Sequence, residues 1–128
     1  MIVFFTGTEY IDRLNDEIKW RIQNVCRLNA EIVIGNYSGF DKLALQFLRE
    51  IGYKKVTVYQ TINTKSYGYP LKYVGKYPAM DEYMASIADY MLAVHNGTKG
   101  VSANIKRMHP SKVRIVRVPR NANLRVIR

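Results

Sequence analysis

Apolar positions along the chain alternate between two periods, and the alternation predicts the fold. Residues 2–5, Ile-Val-Phe-Phe, form a continuous apolar run closed by Thr6-Gly7-Thr8. A parallel strand buried on both faces reads this way. Ile11, Leu14, Ile18, Ile22, Val25 and Leu28 follow at spacings of three and four. They lie on one stripe, which predicts a helix over 9–29 with the Thr8 hydroxyl as its N-cap. Residues 32–34, Ile-Val-Ile, make a second buried strand ending at Gly35-Asn36. Phe40, Leu43, Ala44, Phe47, Leu48 and Ile51 predict a second helix over 39–51, stopped by Gly52. Residues 56–59, Val-Thr-Val-Tyr, are a third strand.

A long connection at 62–76 carries Tyr67, Gly68, Tyr69, Pro70, Tyr73 and Gly75. Loops of that length in compact domains are usually functional or mobile. Beyond it the pattern predicts a third helix over 79–88, opening near Pro78, and a fourth strand over 90–94. A fourth helix over 100–108 is stopped by Pro110. A fifth strand over 113–118 is interrupted by Arg114 and Arg117 and therefore reads as an edge. Strands alternating with helices predict an α/β fold: a Rossmann-like three-layer sandwich, its mostly parallel sheet of about five strands covered by helices on both faces. The expected domain is 1–118, followed by a basic tail at 119–128 with a short strand at 124–127.

Composition narrows the class. The chain has 128 residues, 48% of them hydrophobic, enough for one core and too apolar for disorder. No apolar run approaches the roughly 18 residues of a membrane span. The first residues lack a basic leader and a cleavage site, so no membrane association and a cytoplasmic location are expected. Cys26 is the single cysteine, which excludes an internal disulfide and a cysteine-based zinc site. The net charge is +10, and its placement is uneven. None of the ten acids follows Asp89, whereas Lys99, Lys106, Arg107, Lys112, Arg114, Arg117, Arg120, Arg125 and Arg128 do. That asymmetry favours an anionic partner or simply makes a solvated basic face.

In open parallel sheets, ligands bind beyond the carboxyl ends of the strands. Three such ends are rich in Gly, Ser, Thr and Asn: Thr6-Gly7-Thr8, Gly35-Asn36-Tyr37-Ser38-Gly39, and Asn96-Gly97-Thr98-Lys99-Gly100. Glycine permits tight turns and close backbone approach, and helix beginnings suit phosphate. The first glycine pair is spaced GxxxG and no P-loop lysine follows, so the turn could equally be a plain connection. Asp41 either serves its helix dipole or accepts from neighbouring amides or a ribose hydroxyl. Thr98, Lys99 and Ser102 can donate to phosphate oxygens. Two adjacent loops of this kind share a nucleotide as their natural ligand.

The blocks GNYSGFDKLALQFLREIGYKKVTVY and MDEYMASIADYMLAVHNGTKGVSANIKRM resemble the SLOG superfamily, the Rossmann-like group that includes the LOG and DprA proteins. The residues that carry the likeness are Gly35, Gly39, Asp41, Ala44, Met84, Ala85, Ala88, Asp89, Gly97, Gly100, Asn104 and Ile105. It spans about 2–118 and is strongest at 33–59 and 81–107. The resemblance implies a site for a nucleotide derivative at the strand ends, with no cofactor required. LOG enzymes cleave the N-glycosidic bond of modified adenosine monophosphates through PGGxGTxxE and an upstream arginine. This chain has neither that glutamate nor that arginine, which argues against the activity more than against the ligand.

Asp81 and Glu82, at the start of the third helix, are the candidate carboxylates for glycosidic chemistry; the alternative is service to the helix dipole. Tyr37, with Tyr67, Tyr69, Tyr73 and Tyr77, could stack a base or cap the core edge. His95 and His109 lack metal-type partners, so no metal is expected; His95 reads as structural and His109 as exposed. Cys26 reads as core, and Trp20 as a contact in a homo-oligomer. Three functions compete: binding of a nucleotide-derived small molecule, nucleotide N-glycosidic hydrolysis, and single-stranded nucleic-acid binding through Lys106, Arg107, Lys112, Arg114 and Arg117.

Overall fold

A computed structural model describes residues 1–119. The strands are β1 (Ile2–Gly7), β2 (Glu31–Gly35), β3 (Val56–Tyr59), β4 (Leu71–Lys72), β5 (Tyr90–His95) and β6 (Val113–Arg117). The helices are α1 (Asp16–Arg27), α2 (Phe40–Glu50), α3 (Ala79–Ile87) and α4 (Lys99–Ile105), with a 3-10 turn at Pro110–Lys112. One parallel sheet runs in the order β4-β3-β2-β1-β5-β6. The sixth strand is β4, two residues inside the 62–76 connection, where Leu71 pairs with Val58 and Lys72 with Tyr59. Among the described residues the interrupted strand, β6, is an edge. Of the expected tail at 119–128 only Pro119 is described; the rest, with the strand expected at 124–127, lies outside the described residues.

Alternation of side chains along each strand sorts the core into two layers. On one face Val3, Phe5, Ile32, Ile34, Val58, Leu92 and Val94 pack under Ile18 and Ile22 of α1 and Ala44, Leu45 and Leu48 of α2. On the other, Phe4, Val33, Met91 and Ala93 pack under Met80 and Met84 of α3 and Val101 of α4. This is a three-layer, Rossmann-like α/β fold. Among the described residues no helix is long and apolar enough to cross a membrane.

Two helix boundaries depart from the periodicity. The first helix starts at Asp16, not residue 9, because the Asn15 side chain accepts the Ile18 amide at 2.8 Å and caps it there. Thr8 is not its N-cap; the Thr8 hydroxyl accepts the Tyr10 amide at 3.0 Å and shapes a turn. Ile11 and Leu14 still pack against the core from non-helical chain, which is why they mimic the helical stripe. The fourth helix ends at Ile105, short of 108. There the Arg107 amide turns back to the Asn104 carbonyl, and Pro110 opens the 3-10 turn.

The chain leaves β1 toward β2, β3 and β4, then returns to add β5 and β6 on β1's other side. The order therefore reverses between β1 and β5. At such a switch point the two neighbouring crossovers diverge and leave a crevice at the carboxyl ends of the strands.

Candidate functional site

A cavity of about 610 Å³ occupies that crevice. The end of β1 supplies Thr6 and Gly7, followed by Glu9 and Tyr10. The β2–α2 turn supplies Tyr37, the entry to α3 supplies Tyr77 and Asp81, and the β5–α4 segment supplies Gly97, Thr98, Lys99, Gly100, Val101 and Asn104. Tyr77 precedes Pro78 through a cis peptide bond.

A buried polar cluster forms the cavity floor. The Asn104 amide donates to Thr6 Oγ1 at 2.9 Å and to Asp81 Oδ2 at 3.3 Å, and Asn104 and Asp81 are 3% and 4% exposed. Asn104 Oδ1 accepts from Arg107 Nε at 3.0 Å, and the Arg107 guanidinium lies 3.6 Å from Glu82. Burial raises the Asp81 pKa, while Asn104 and Arg107 oppose the rise. Asp41, buried behind Tyr37, accepts the Tyr37 amide on Oδ2 at 3.3 Å, and its Oδ1 has no hydrogen-bond partner among the described residues. Burial holds this carboxyl well above the usual carboxylate range; the Tyr37 amide opposes and the charges of Asp81 and Glu9 add. Burial, then Asp81, Asp41, Tyr77 and Glu9, push the Tyr37 phenol up as well. Asp41 and Asp81 thus converge on Tyr37, and burial favours the protonated form of all three.

The two glycine turns behave differently. In the first, the Phe40 amide that opens α2 donates to the Thr8 carbonyl at 3.0 Å. Gly39, at φ +74°, passes so close to Glu9 that an added Cβ would lie 2.5 Å from its backbone. At Gly7 an added Cβ would lie 2.4 Å from the Phe40 ring. The start of α2 is therefore covered by the 8–10 strap, and the phosphate seat expected over 35–41 is closed there; only Tyr37 of this turn reaches the cavity. The second turn is open. Among the described residues an added Cβ on Gly100 meets nothing within 4 Å, and the buried Thr98 hydroxyl at the cavity wall has no hydrogen-bond partner.

The structure thus brings Thr6, Gly7, Tyr37, Gly97, Thr98, Lys99 and Gly100 together with Asp81. Thr8, Gly35, Asn36, Ser38, Gly39, Asp41, Asn96, Ser102 and Glu82 do not line the cavity. Thr8 is bound through its amide to Val94, and Ser38 is exposed. Asn36 holds the 61–65 segment: its amide donates to the carbonyls of Asn63 and Lys65, and its oxygen accepts from the Thr61 amide and hydroxyl. Ser102 donates to the Thr98 carbonyl at 2.9 Å. His95 Nδ1 accepts the Gly97 amide, which assigns the ring proton to Nε2 beside Ser102. The serine is therefore fixed in place, not activated. Burial and Arg117 lower the His95 pKa.

Of the connection tyrosines, only Tyr77 joins Tyr37 in the wall. Tyr67 and Tyr69 pack against the core, Tyr69 donating to the Tyr53 carbonyl at 2.7 Å, and Tyr73 is exposed. Glu9 and Tyr10 belong to the site without having been marked by any motif. The basic residues do not form one stripe: Arg107 faces Glu82, Lys112 lies over the Tyr90 ring at 5.1 Å, and Arg114 and Arg117 fall on opposite faces of β6. Among the described residues no group of three acids, histidines or cysteines could hold a metal ion. No protein-family model matches the chain, and no curated protein matches it in sequence.

Proposed function

We propose that the protein is a binding module for a nucleotide-derived small molecule of AMP or ADP-ribose type, related to the SLOG superfamily. One observation carries the reading: the cavity at the β1–β5 switch point joins three tyrosines, two carboxyls and an open glycine turn with Thr98 and Lys99. Each feature answers one part of a nucleotide. Tyr10, Tyr37 and Tyr77 offer aromatic surface to a base, worth about 1–3 kcal/mol per stacked base. Glu9 and Asp81 accept from ribose hydroxyls. Lys99, the Thr98 hydroxyl and the amides of 97–100 receive phosphate. The protein acts in the cytoplasm as a homo-oligomer, with Trp20 of α1, 51% exposed, as a contact.

The test is a thermal-shift series with AMP, ADP-ribose, NAD and 3′,5′-cyclic AMP, followed by calorimetry. A ligand at 100 times its Kd stabilises by about 2.7 kcal/mol, and Lys99→Ala and Thr98→Val should remove most of that gain. If none of the four binds in calorimetry, the reading fails.

Asp81 favours a second reading, hydrolysis of the same ligand's N-glycosidic bond. It is the buried carboxyl in the wall, whereas Glu82 lies outside it against Arg107. Chromatography of AMP and ADP-ribose after incubation decides it: turnover that Asp81→Asn abolishes while binding persists supports hydrolysis, and intact nucleotides remove it.

A further inference from the structure

We propose that the opposite end of the molecule carries a second, separate site for a small amphipathic anion: a carboxylate or phosphate joined to an apolar body. A cavity of about 400 Å³ lies beside α1 where β1, β5 and β6 begin. It shares no residue with the cavity at the carboxyl ends of the strands. Its volume falls within the range of small-molecule sites. It exists because α1 covers β1 while β6 extends the sheet past β5, and among the described residues no helix follows β6.

The lining divides into an apolar part and a cationic part. Val3 and Leu92 from the sheet and Val25 and Leu28 from α1 supply apolar surface. Arg21 from α1, Lys112 from the 3-10 turn and Arg114 from the start of β6 supply three positive charges. Among the described residues no carboxylate lines the cavity. Asp89, next to it in the chain, accepts the Ile2 amide at 2.8 Å. Glu17 is 3.9 Å from Arg21 and its side chain is more than half exposed, a geometry that neutralises little. The Arg21 side chain is 27% exposed, but its Nε is buried and finds no hydrogen-bond partner among the described residues.

A charged donor buried without an acceptor is costly, and native structures rarely leave one so. An anion in the cavity would supply the acceptor and answer the uncompensated charge. A cation would meet three like charges, and a neutral molecule would leave them unanswered. The apolar surface beside them selects an anion with a hydrocarbon or aromatic body over inorganic phosphate.

The test uses the protein's own reporter. Trp20 is the single tryptophan, and the Arg21 guanidinium lies over its ring at 4.9 Å, so an anion that engages Arg21 perturbs tryptophan fluorescence. The full chain is titrated below micellar concentrations with octyl phosphate, octanoate, octanol and octylammonium, with calorimetry for stoichiometry. Octyl phosphate and octanoate should bind saturably at one per chain, and octylammonium should not. Arg21→Gln and Arg114→Glu should each weaken octyl phosphate about tenfold or more. Arg114 is exposed on the edge strand, so its variant retains the fold. Lys99→Ala, in the other cavity, should leave binding unchanged. Phosphatidylcholine vesicles containing phosphatidylserine separate a membrane surface from a free ligand. The proposal is overturned if octylammonium binds as well as octyl phosphate, if Arg114→Glu has no effect, if no saturable binding occurs, or if only vesicles give a signal.

Discussion

Gly39→Ala should be far more damaging than a glycine-to-alanine change elsewhere at similar φ. Gly39 has φ +74° and ψ −124°, a backbone region that costs an L-residue about 1–3 kcal/mol. Its new Cβ would lie 2.5 Å from the Glu9 backbone, where ordinary contact begins at 3.4 Å, so strap and helix start must part by about 0.9 Å. That movement breaks the bond from the Phe40 amide to the Thr8 carbonyl, 3.0 Å long. Leaving those groups unpaired adds about 1–3 kcal/mol. The sum, about 2–6 kcal/mol, is a large share of a domain's usual 5–15 kcal/mol. Gly52 is the control, with φ +76° and nothing within 4 Å of an added Cβ. Gly52→Ala should cost only the conformational part, about 1–2 kcal/mol. Urea unfolding measures both, and amide exchange at Phe40 reports the strap directly. Equal losses in the two variants, or unchanged exchange at Phe40, would refute the claim that the strap presses on the helix start.

Asn36→Ala should cost about 1–3 kcal/mol by removing the four hydrogen bonds that this buried side chain makes to the part-buried 61–65 segment and should speed amide exchange and proteolysis within 61–65. An unchanged cleavage rate there would show that Asn36 does not hold the segment. The Asp41 carboxyl has a raised pKa in the folded state, so folding binds its proton more tightly than the unfolded chain does. Its contribution is fully present below the ordinary carboxylate value and is lost progressively as pH rises toward the folded value. Relative to the parent, Asp41→Asn should therefore gain stability on going from pH 4 to pH 8 in urea titrations; a difference that does not change with pH contradicts the burial argument.

The repeated strand-and-helix units were legible because buried parallel strands are short unbroken apolar runs and the helices between them carry apolar residues at spacings of three and four. What periodicity could not see was competition for the same residues. Ile11 and Leu14 satisfy the helical spacing, yet Asn15 caps the helix later and leaves them packing from irregular chain. With two residues, β4 is too short to show any period. At the site, the sequence marked both glycine turns alike, since glycine serves close packing and ligand approach equally. Only coordinates distinguish Gly39, pressed against Glu9, from Gly100, which faces open space. Tyr10 and Glu9 carried no signal because they follow a strand end without a motif. Asn104, marked only as part of the resemblance, could have been read as a site residue, since a buried amide within a largely apolar helix face demands partners.

The contact from Asn104 to Thr6 joins residues 98 positions apart, and Asp81 shares the same amide. The first strand therefore emerges from the ribosome long before the residues that complete its wall. A nascent chain halted before residue 104 has the sheet's centre but no assembled floor, so the binding proposed for this cavity should begin only after residue 104 has emerged.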